Sequence, residues 1–186
     1  NFAQPSNSDM WTIDKTFEFC YGHRVWTQVL DGRFADDLKC ACRHLHGHEG
    51  KVQIFLESPT LNAQGMITDF RHLEWLKKWL NNYVDHKFIL DRSDPVKELL
   101  FPQLELVPVE VPDTDLIVAY TAKSNPSSVL SEIFEGLLLV DFSPTSENLA
   151  KWLLELTQAR MSILGVKVSR VDWYETPRSR SSYGQS

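Results

Sequence analysis

The chain has few cysteines and a deficit of positive charge, and each shortage excludes a class of protein. Its three cysteines, Cys20, Cys40 and Cys42, are too few and odd in number for a disulfide framework, so we expect a reducing compartment, the cytoplasm. Against 25 acidic residues there are 19 Lys and Arg, which gives a net charge of −6. Proteins that bind nucleic acids or anionic membranes normally carry a basic surface, so neither partner is expected.

Long hydrophobic runs are also missing. No stretch approaches the roughly 20 apolar residues of a membrane-spanning helix, and none resembles the apolar core of a signal peptide. With 186 residues, of which 42% are hydrophobic, the chain can bury the core of one globular domain. We expect that domain to occupy residues 11–186, and residues 1–10 to be foreign or disordered sequence around a native start at Met10.

Hydrophobic periodicity predicts an α+β fold. Alternating polarity predicts strands over residues 11–21, 51–57 and 166–174. Apolar residues at helical spacing predict a helix over residues 69–81 and a second helix from about residue 143. The order strand, strand, helix, helix, strand is typical of α+β proteins.

A long segment before the second helix, residues 95–141, has the least regular pattern. Within it we predict a strand over residues 116–121 and a helix over residues 127–139, separated by stretches rich in proline and aspartate. The polar tail, residues 181–186, is expected to be loose.

Four of the six histidines, His23, His44, His46 and His48, fall within 26 residues. On an extended strand, residues two apart point to the same face, so His46 and His48 can serve one metal ion. His23 ends a similar run, and an adjacent antiparallel strand would deliver it as a third ligand. Three imidazoles hold Zn2+ with its fourth position open to water or substrate, as in catalytic zinc sites. Any one of them alone would more often be a surface or hydrogen-bonded core histidine.

Around this cluster, six short motifs follow one another along the chain. They are FEFCYGH (17–23), CRHLHGH (42–48), GMITDF (65–70), VDH (84–86), PTSENL (144–149) and YET (174–176). In this order they resemble the 6-pyruvoyl-tetrahydropterin synthase family and, within it, the bacterial 6-carboxy-tetrahydropterin synthases of queuosine biosynthesis (QueD). The resemblance implies a T-fold (tunnelling fold), which is a four-stranded antiparallel sheet with two helices on one face.

The resemblance also implies an assembly and a set of site residues. Family members typically form homohexamers, built as dimers of trimers, with active sites between subunits. The implied zinc ligands are His23, His46 and His48. The implied catalytic residues are Cys42, Asp85 and His86, and the implied pterin-binding residues are Glu175, which anchors the pterin, with Thr145 and Ser146.

Structural explanations stand beside these implied roles. Asp85 and His86 follow a predicted helix and are also compatible with a cap or loop pair. Thr145 and Ser146 are at least as compatible with the start of the second helix. Glu175 lies near a strand end, where carboxylates are commonly solvated.

Two features depart from the family pattern. Cys42 has the spacing C-x3-H-G-H that resembles the carboxy-tetrahydropterin enzymes, whereas Cys40 has the spacing C-x5-H-G-H that resembles the pyruvoyl-tetrahydropterin enzymes. On a strand the two thiols would share a face, and we favour Cys42 because the surrounding motifs resemble the carboxy-tetrahydropterin enzymes. The second departure is the long span from Asp85 to Pro144. That insertion before the second helix could cover the active site, alter the oligomer or bind a partner.

Three functions are compatible with these residues. The first is a zinc-dependent lyase that converts 7,8-dihydroneopterin triphosphate to 6-carboxy-5,6,7,8-tetrahydropterin, releasing acetaldehyde and triphosphate, for queuosine or a related 7-deazapurine. The second is a 6-pyruvoyl-tetrahydropterin synthase, which eliminates triphosphate. The third is a non-catalytic T-fold protein that binds a pterin or purine through Glu175. We predict the lyase, because a binding module has no need for three metal ligands, a thiol and an Asp-His pair together.

Overall fold

The computed structural model describes residues 10–35, 39–100, 104–123 and 129–184, without the side chains of residues 129–131. These ranges contain eight strands and four α-helices, together with short 3-10 turns. In chain order they are β1 (Trp11–His23), β2 (His46–Ser58), α1 (Glu74–Tyr83), β3 (Lys87–Asp91), α2 (Pro95–Leu100), β4 (Leu106–Glu110), β5 (Ile117–Ala122), α3 (Val129–Glu135), β6 (Leu137–Val140), α4 (Ser146–Met161), β7 (Lys167–Thr176) and β8 (Ser179–Gly184).

The strands form a single sheet in the order β4-β5-β6-β3-β1-β2-β7-β8. One half of it, β1, β2, β7 and β8, is antiparallel, as the T-fold resemblance implies. The other half is added at the β1 edge, where β3 pairs in parallel with β1 and with β6, and where β5 pairs antiparallel with β6 and with β4. The expectation of a four-stranded sheet was therefore wrong. The inserted segment contributes strands whose backbone groups are satisfied by continuing the sheet.

Two helices, α1 and α4, pack against one face of this sheet. Alternate residues of β1 and β2 are buried on that face, and the core that they form with the helices includes Trp79 and Leu153. The first predicted helix is confirmed, with a 3-10 turn over Phe70–Leu73 ahead of it that Asp69 caps by accepting from Arg71 N. The second predicted helix is confirmed as α4.

The inserted segment is only partly what its sequence predicts. The strand predicted over residues 116–121 is confirmed as β5. The helix predicted over residues 127–139 was wrong in its second half, because α3 ends at Glu135 and β6 follows; residues 127 and 128 lie outside the described ranges. All four residues of β6 are buried, some in the main core and some in a smaller cluster with Leu90. A strand buried on both faces shows a continuous apolar run rather than an alternation.

The prediction for the C-terminal tail can be compared with the structure, whereas the prediction for the N-terminal residues cannot. The expectation of a loose tail was wrong as far as Gly184, because β8 pairs with β7 along its length. Its polar composition gives no alternating signal, and backbone pairing holds it in place. The predicted start at Met10 concerns residues 1–9, which lie outside the described ranges.

Among the described residues, no helix is both long enough and apolar enough to cross a membrane.

Candidate active site

Three histidines converge at the end of the sheet where β1 finishes and β2 begins. His23 is the last residue of β1 and lies opposite His46, the first residue of β2. His48, two residues on, faces the same side of the sheet. The Nε2 atom of His23 lies 3.0 Å from that of His46 and 3.1 Å from that of His48. The predicted convergence of the three imidazoles is confirmed as a geometric fact.

Hydrogen bonds on the other side of two rings fix their tautomers. His23 Nδ1 lies 2.7 Å from the carbonyl oxygen of Pro144, and His46 Nδ1 lies 2.8 Å from that of His44. A carbonyl only accepts, so each Nδ1 carries the proton and donates it, and each Nε2 keeps its lone pair. Such outer partners normally orient metal-binding histidines.

This arrangement fits a zinc ion. Zn–N bonds of about 2.0–2.1 Å in tetrahedral geometry separate two ligand nitrogens by about 3.3 Å, slightly more than the spacing of the Nε2 atoms here. The ligand atoms of His23, His46 and His48 all lie within 4.8 Å of one another. A small widening of the cluster would therefore accommodate the ion.

Two of the three imidazoles, those of His23 and His48, are also held in the neutral form that a metal ion requires. Burial lowers the pKa of His23 to about 4, and the neighbouring His46 and His48 act in the same direction against the hydrogen bond to Pro144. Burial and His46 likewise lower the pKa of His48. Near neutral pH, protons therefore do not compete with a metal ion for His23 or His48.

The two neighbouring cysteines lie on a turn ahead of β2. Cys42 belongs to a 3-10 turn over Ala41–Arg43, and its backbone N–H donates to Cys40 Sγ at 3.4 Å. The expectation that a strand would place both thiols on one face was wrong, because β2 begins only at His46. The turn is tied to the chain beyond β1 by a hydrogen bond from Val25 N to the carbonyl oxygen of Cys42, 2.8 Å long.

The Cys42 thiol is an electrostatic neighbour of the candidate pterin anchor. Burial, contact with Cys40 and the charge of Glu175 together raise the pKa of Cys42 to about 11. The metal-free chain therefore holds Cys42 as the neutral thiol. A cation at the histidine cluster would have to supply the charge that makes it a thiolate.

Glu175 reaches the histidine cluster from β7. Its Oε1 lies 3.7 Å from His23 Nε2. Its pKa is raised by partial burial and by the charge of Glu147 in the first turn of α4, against the opposing influence of His46. A carboxylate in this position would lie beside a metal ion if the three histidines held one.

The two predicted hydroxyl residues lie at the start of α4. Thr145 is the N-cap, and its side chain accepts from the backbone N–H of Asn148 at 3.3 Å. Ser146 Oγ lies 2.7 Å from Ser181 Oγ on β8. Both hydroxyls therefore have structural contacts, and their predicted contact with a pterin stays a prediction.

Asp85 and His86 form a pair at the far edge of β1. His86 Nδ1 lies 3.0 Å from Asp85 Oδ1. Asp85 Oδ1 accepts from Cys20 N at 2.9 Å, and His86 N donates to Cys20 O at 2.7 Å. The His86 side chain is 80% exposed, and its φ of 58° is an uncommon backbone conformation for a residue other than glycine.

His86 lines a cavity of about 610 Å³ with largely apolar walls. Within the described residues, no hydrogen bond or ion pair joins His86 to the histidines, Cys42 or Glu175. One chain thus brings together the three histidines, the thiol and Glu175, whereas the Asp85–His86 pair makes no hydrogen bond or ion pair with them in the described part of the chain. The cavity beside His86 is also lined by His48 of the histidine cluster, by Cys20, Gly22, Gly47 and Glu49 of β1 and β2, and by Leu100, Ile133 and Leu137 of the inserted segment.

Sequence patterns missed the groups that orient the ligands. The carbonyl oxygens of Pro144 and His44 fix the two tautomers, and every residue has a carbonyl, so no residue type signals this role. Glu147 was also missed as a neighbour of Glu175. Its position in the PTSENL motif was the only available signal.

Comparisons with known proteins agree with these motifs. The model of the 6-pyruvoyl tetrahydropterin synthase family matches residues 12–186. A 6-carboxy-5,6,7,8-tetrahydropterin synthase of Aquifex aeolicus is 35% identical over 182 residues, which cover 93% of this chain and 97% of the relative.

Two solved structures have the same fold. A protein of Wolinella succinogenes, described as uncharacterized, superposes with a TM-score of 0.87 at 43% identity, over 96% of this chain and 100% of the other. The 6-pyruvoyl tetrahydropterin synthase of Plasmodium vivax superposes with a TM-score of 0.57 at 16% identity, over 96% and 99% of the two chains, and shows the fold alone. Because the family model spans nearly the whole chain, this protein belongs to the 6-pyruvoyl tetrahydropterin synthase family.

Proposed function

We propose that the chain is a zinc-dependent 6-carboxy-5,6,7,8-tetrahydropterin synthase, a carbon-carbon lyase. Its substrate is 7,8-dihydroneopterin triphosphate, and it releases acetaldehyde and triphosphate in the biosynthesis of queuosine or a related 7-deazapurine in the cytoplasm. The observation that carries the proposal is the convergence of three imidazole Nε2 atoms beside Cys42 and Glu175. The name of the Aquifex aeolicus relative supports the choice within the family.

His23, His46 and His48 hold the zinc ion, each through Nε2. When bound, Zn2+ supplies a Lewis acid that makes the C–H and O–H protons of the substrate side chain easier to remove. The hydrogen bonds from His23 and His46 to backbone carbonyls hold both rings in the required tautomer.

Glu175 orients the pterin. Its carboxylate accepts two hydrogen bonds, one from the 2-amino group and one from a ring N–H, and this bidentate contact fixes the angle of the ring as well as contributing affinity. Burial favours the contact, since a half-buried carboxylate loses less to water when it binds. Thr145 and Ser146 lie close by at the start of α4 and complete the pocket wall.

Cys42 takes a proton from the substrate side chain. In the metal-free chain its pKa of about 11 keeps it protonated, so its basicity depends on the positive charge at the histidine cluster. Cys40, the N-cap of the turn two residues before Cys42, accepts a hydrogen bond from Cys42 N and serves as its neighbour rather than as the base.

The Asp85–His86 pair acts in a site shared by two subunits. His86 is exposed and supported by Asp85, which suits an acid or proton relay. Since no described hydrogen bond or ion pair joins the pair to the cluster within one chain, we assign it to the site of a neighbouring copy in a homo-oligomer. A hexamer formed as a dimer of trimers agrees with the family resemblance.

A second candidate is the 6-pyruvoyl-tetrahydropterin synthase reaction. The observation that favours it is Cys40, which has the corresponding spacing and contacts Cys42 in the structure. In that reaction the substrate loses triphosphate and keeps its side-chain carbons.

The two reactions are separated by their products. We expect the zinc-loaded protein, incubated with 7,8-dihydroneopterin triphosphate, to give 6-carboxy-5,6,7,8-tetrahydropterin and acetaldehyde, identified by mass spectrometry. A chelator-treated sample is the control and should be inactive until Zn2+ is restored. A 6-pyruvoyl product would establish the second candidate instead. Purified protein without stoichiometric zinc and without turnover would indicate a non-catalytic pterin-binding protein.

A further inference from the structure

A buried ion pair links the inserted segment to the end of β1. Asp94 Oδ2 lies 3.2 Å from Nε of Arg24, and the Asp94 side chain is fully buried while that of Arg24 is 22% exposed. Arg24 directly follows the metal ligand His23. Asp94 directly precedes α2, the first element of the inserted segment. The pair therefore joins two parts of the chain that are 70 positions apart, at the residue next to a ligand.

Asp94 is held firmly on its own side of this contact. Its Oδ1 accepts from Val96 N at 2.9 Å, its backbone N–H donates to Asp91 O at 3.0 Å, and its carbonyl accepts from Lys97 N at 3.0 Å. These contacts fix the direction of the carboxylate and direct Oδ2 towards Arg24. The aspartate thus presents a fixed charge.

The chain just after the C-terminal end of the inserted segment also contacts the end of β1. Pro144, three residues after the segment, accepts the hydrogen bond from His23 Nδ1. Pairing of β3 with β6, including Asp91 with Val140, holds the two ends of the segment together. The residues that flank the segment thus contact His23 from one end and Arg24 from the other.

Burial of this ion pair restricts the motion of Arg24. Removing one partner of a buried ion pair leaves an uncompensated charge away from water, so the native arrangement is strongly preferred over any in which Arg24 moves away. Arg24 and His23 share a peptide bond, so this restriction reaches the ligand. Val25, the next residue, bonds to Cys42 O and extends the restriction to the thiol turn.

We infer that Arg24 and Asp94 are a positioning pair for the metal centre, through which the inserted segment sets the placement of His23 and hence the affinity for Zn2+. The inference rests on the zinc site of the proposed function. In this role, the inserted segment acts on the metal centre of its own subunit. Loss of a group hydrogen-bonded to a metal ligand typically lowers metal affinity 10- to 100-fold; because this pair acts on His23 through one peptide bond, we expect the lower end of that range.

The test measures metal binding and folding separately. Asp94→Asn should lower Zn2+ affinity about 10-fold in competition with a chromophoric chelator, and should change the visible absorption spectrum of the Co2+-substituted protein. The double variant Arg24→Met with Asp94→Asn removes both charges and keeps a side-chain oxygen that accepts from Val96 N, so it should regain most of the unfolding temperature that Asp94→Asn loses. Its Zn2+ affinity should stay low, because the fixed charge that places the end of β1 is gone.

The matched control is Asp172→Asn. Asp172 is also fully buried and ion-paired, to Arg170 and Arg180, but it lies on β7. We expect Asp172→Asn to lower the unfolding temperature. Its Zn2+ affinity should stay within about threefold of that of the unchanged protein, which is a smaller change than we expect for Asp94→Asn.

Opposite results would be decisive. If the double variant binds Zn2+ as tightly as the unchanged protein and gives the same Co2+ spectrum, the pair is structural only and the inference is wrong. The double variant also decides the matter should Asp94→Asn fail to fold. An unchanged protein that binds no Zn2+ would refute the proposed function itself, which is a different outcome.

Discussion

At the scale of single residues, protonation decides whether three neighbouring histidines can share a metal ion. The spacing of His46 and His48 predicts that their side chains face the same way, but it says nothing about which nitrogen carries a proton. In the structure, backbone carbonyls accept hydrogen bonds from Nδ1–H of His23 and His46, which leaves the Nε2 lone pairs available. The residue types were predictable, whereas their tautomers depended on contacts from distant parts of the chain.

The buried state of His23 predicts a pH-dependent stability for the metal-free protein. The folded pKa of about 4 lies below the ordinary value of 6.5, so on acidification the unfolded chain takes up its proton first. The stabilising contribution is complete above pH 6.5, declines as the pH falls and is lost below about pH 4. Its size is roughly 3 kcal/mol at most.

Urea unfolding of metal-free protein between pH 4 and 8 would measure this contribution. Glu175 has a raised pKa and works in the opposite direction, so the comparison must be with the variant His23→Gln. The difference between the two proteins should shrink as the pH falls through this window. A difference that does not vary with pH would contradict the buried neutral imidazole.

The two cysteines give a second prediction at the residue scale. We expect Cys42→Ala to lower the rate of 6-carboxy-5,6,7,8-tetrahydropterin formation at least 100-fold, the usual range for loss of a general base. Cys40→Ala should keep most of the activity and is the matched control, since the two residues share one turn. The reverse pattern would assign the working thiol to Cys40.

At the scale of elements, whether a strand could be predicted from the sequence depended on which of its faces are buried. Strands with one buried face, such as β1, show alternation and were predicted, and so was α4 with its capping threonine and apolar positions. β6 is buried on both faces and β8 is polar, so neither has a period of two to detect. Both are strands because neighbouring strands pair with them, which the local sequence does not encode.

The capping residue of α4 allows a stability prediction. Thr145→Ala removes the acceptor for Asn148 N and should lower the free energy of unfolding by about 1 kcal/mol. Thr145→Ser keeps the hydroxyl and serves as the control. Denaturant unfolding of both variants measures the difference, and equal stability of Thr145→Ala and the unchanged protein would show that the cap is dispensable.

At the scale of the whole molecule, the position of Asp85 and His86 decides how many chains make one site. The pair is held at the β1 edge by Cys20, and no described hydrogen bond or ion pair joins it to the histidine cluster. Head-to-tail contacts between identical subunits close into rings, in which every subunit can give one half-site to each neighbour. A shared site follows from this geometry if the pair takes part in the reaction.

Mixing two inactive variants tests the shared site. Cys42→Ala and His86→Ala should each be inactive alone. Subunits of the two variants that are unfolded together and reassembled in equal amounts should recover about a quarter of the activity, because about one shared site in four receives an intact Cys42 from one subunit and an intact His86 from its neighbour. Each variant refolded alone is the control. A mixture that stays inactive, although it forms mixed oligomers, would place the whole site within one chain.

The sequence by itself determined the ligand types, the two main helices, the long antiparallel strands and the family, because each depends on a local pattern or on an ordered set of short motifs. The tertiary structure alone decided the tautomers, the 3-10 turn that carries Cys42, and the eight-stranded sheet. It also decided the contacts that hold His23 and Arg24, which reach them from Pro144 and Asp94. These features arise between residues far apart in the chain, and only packing brings such residues together.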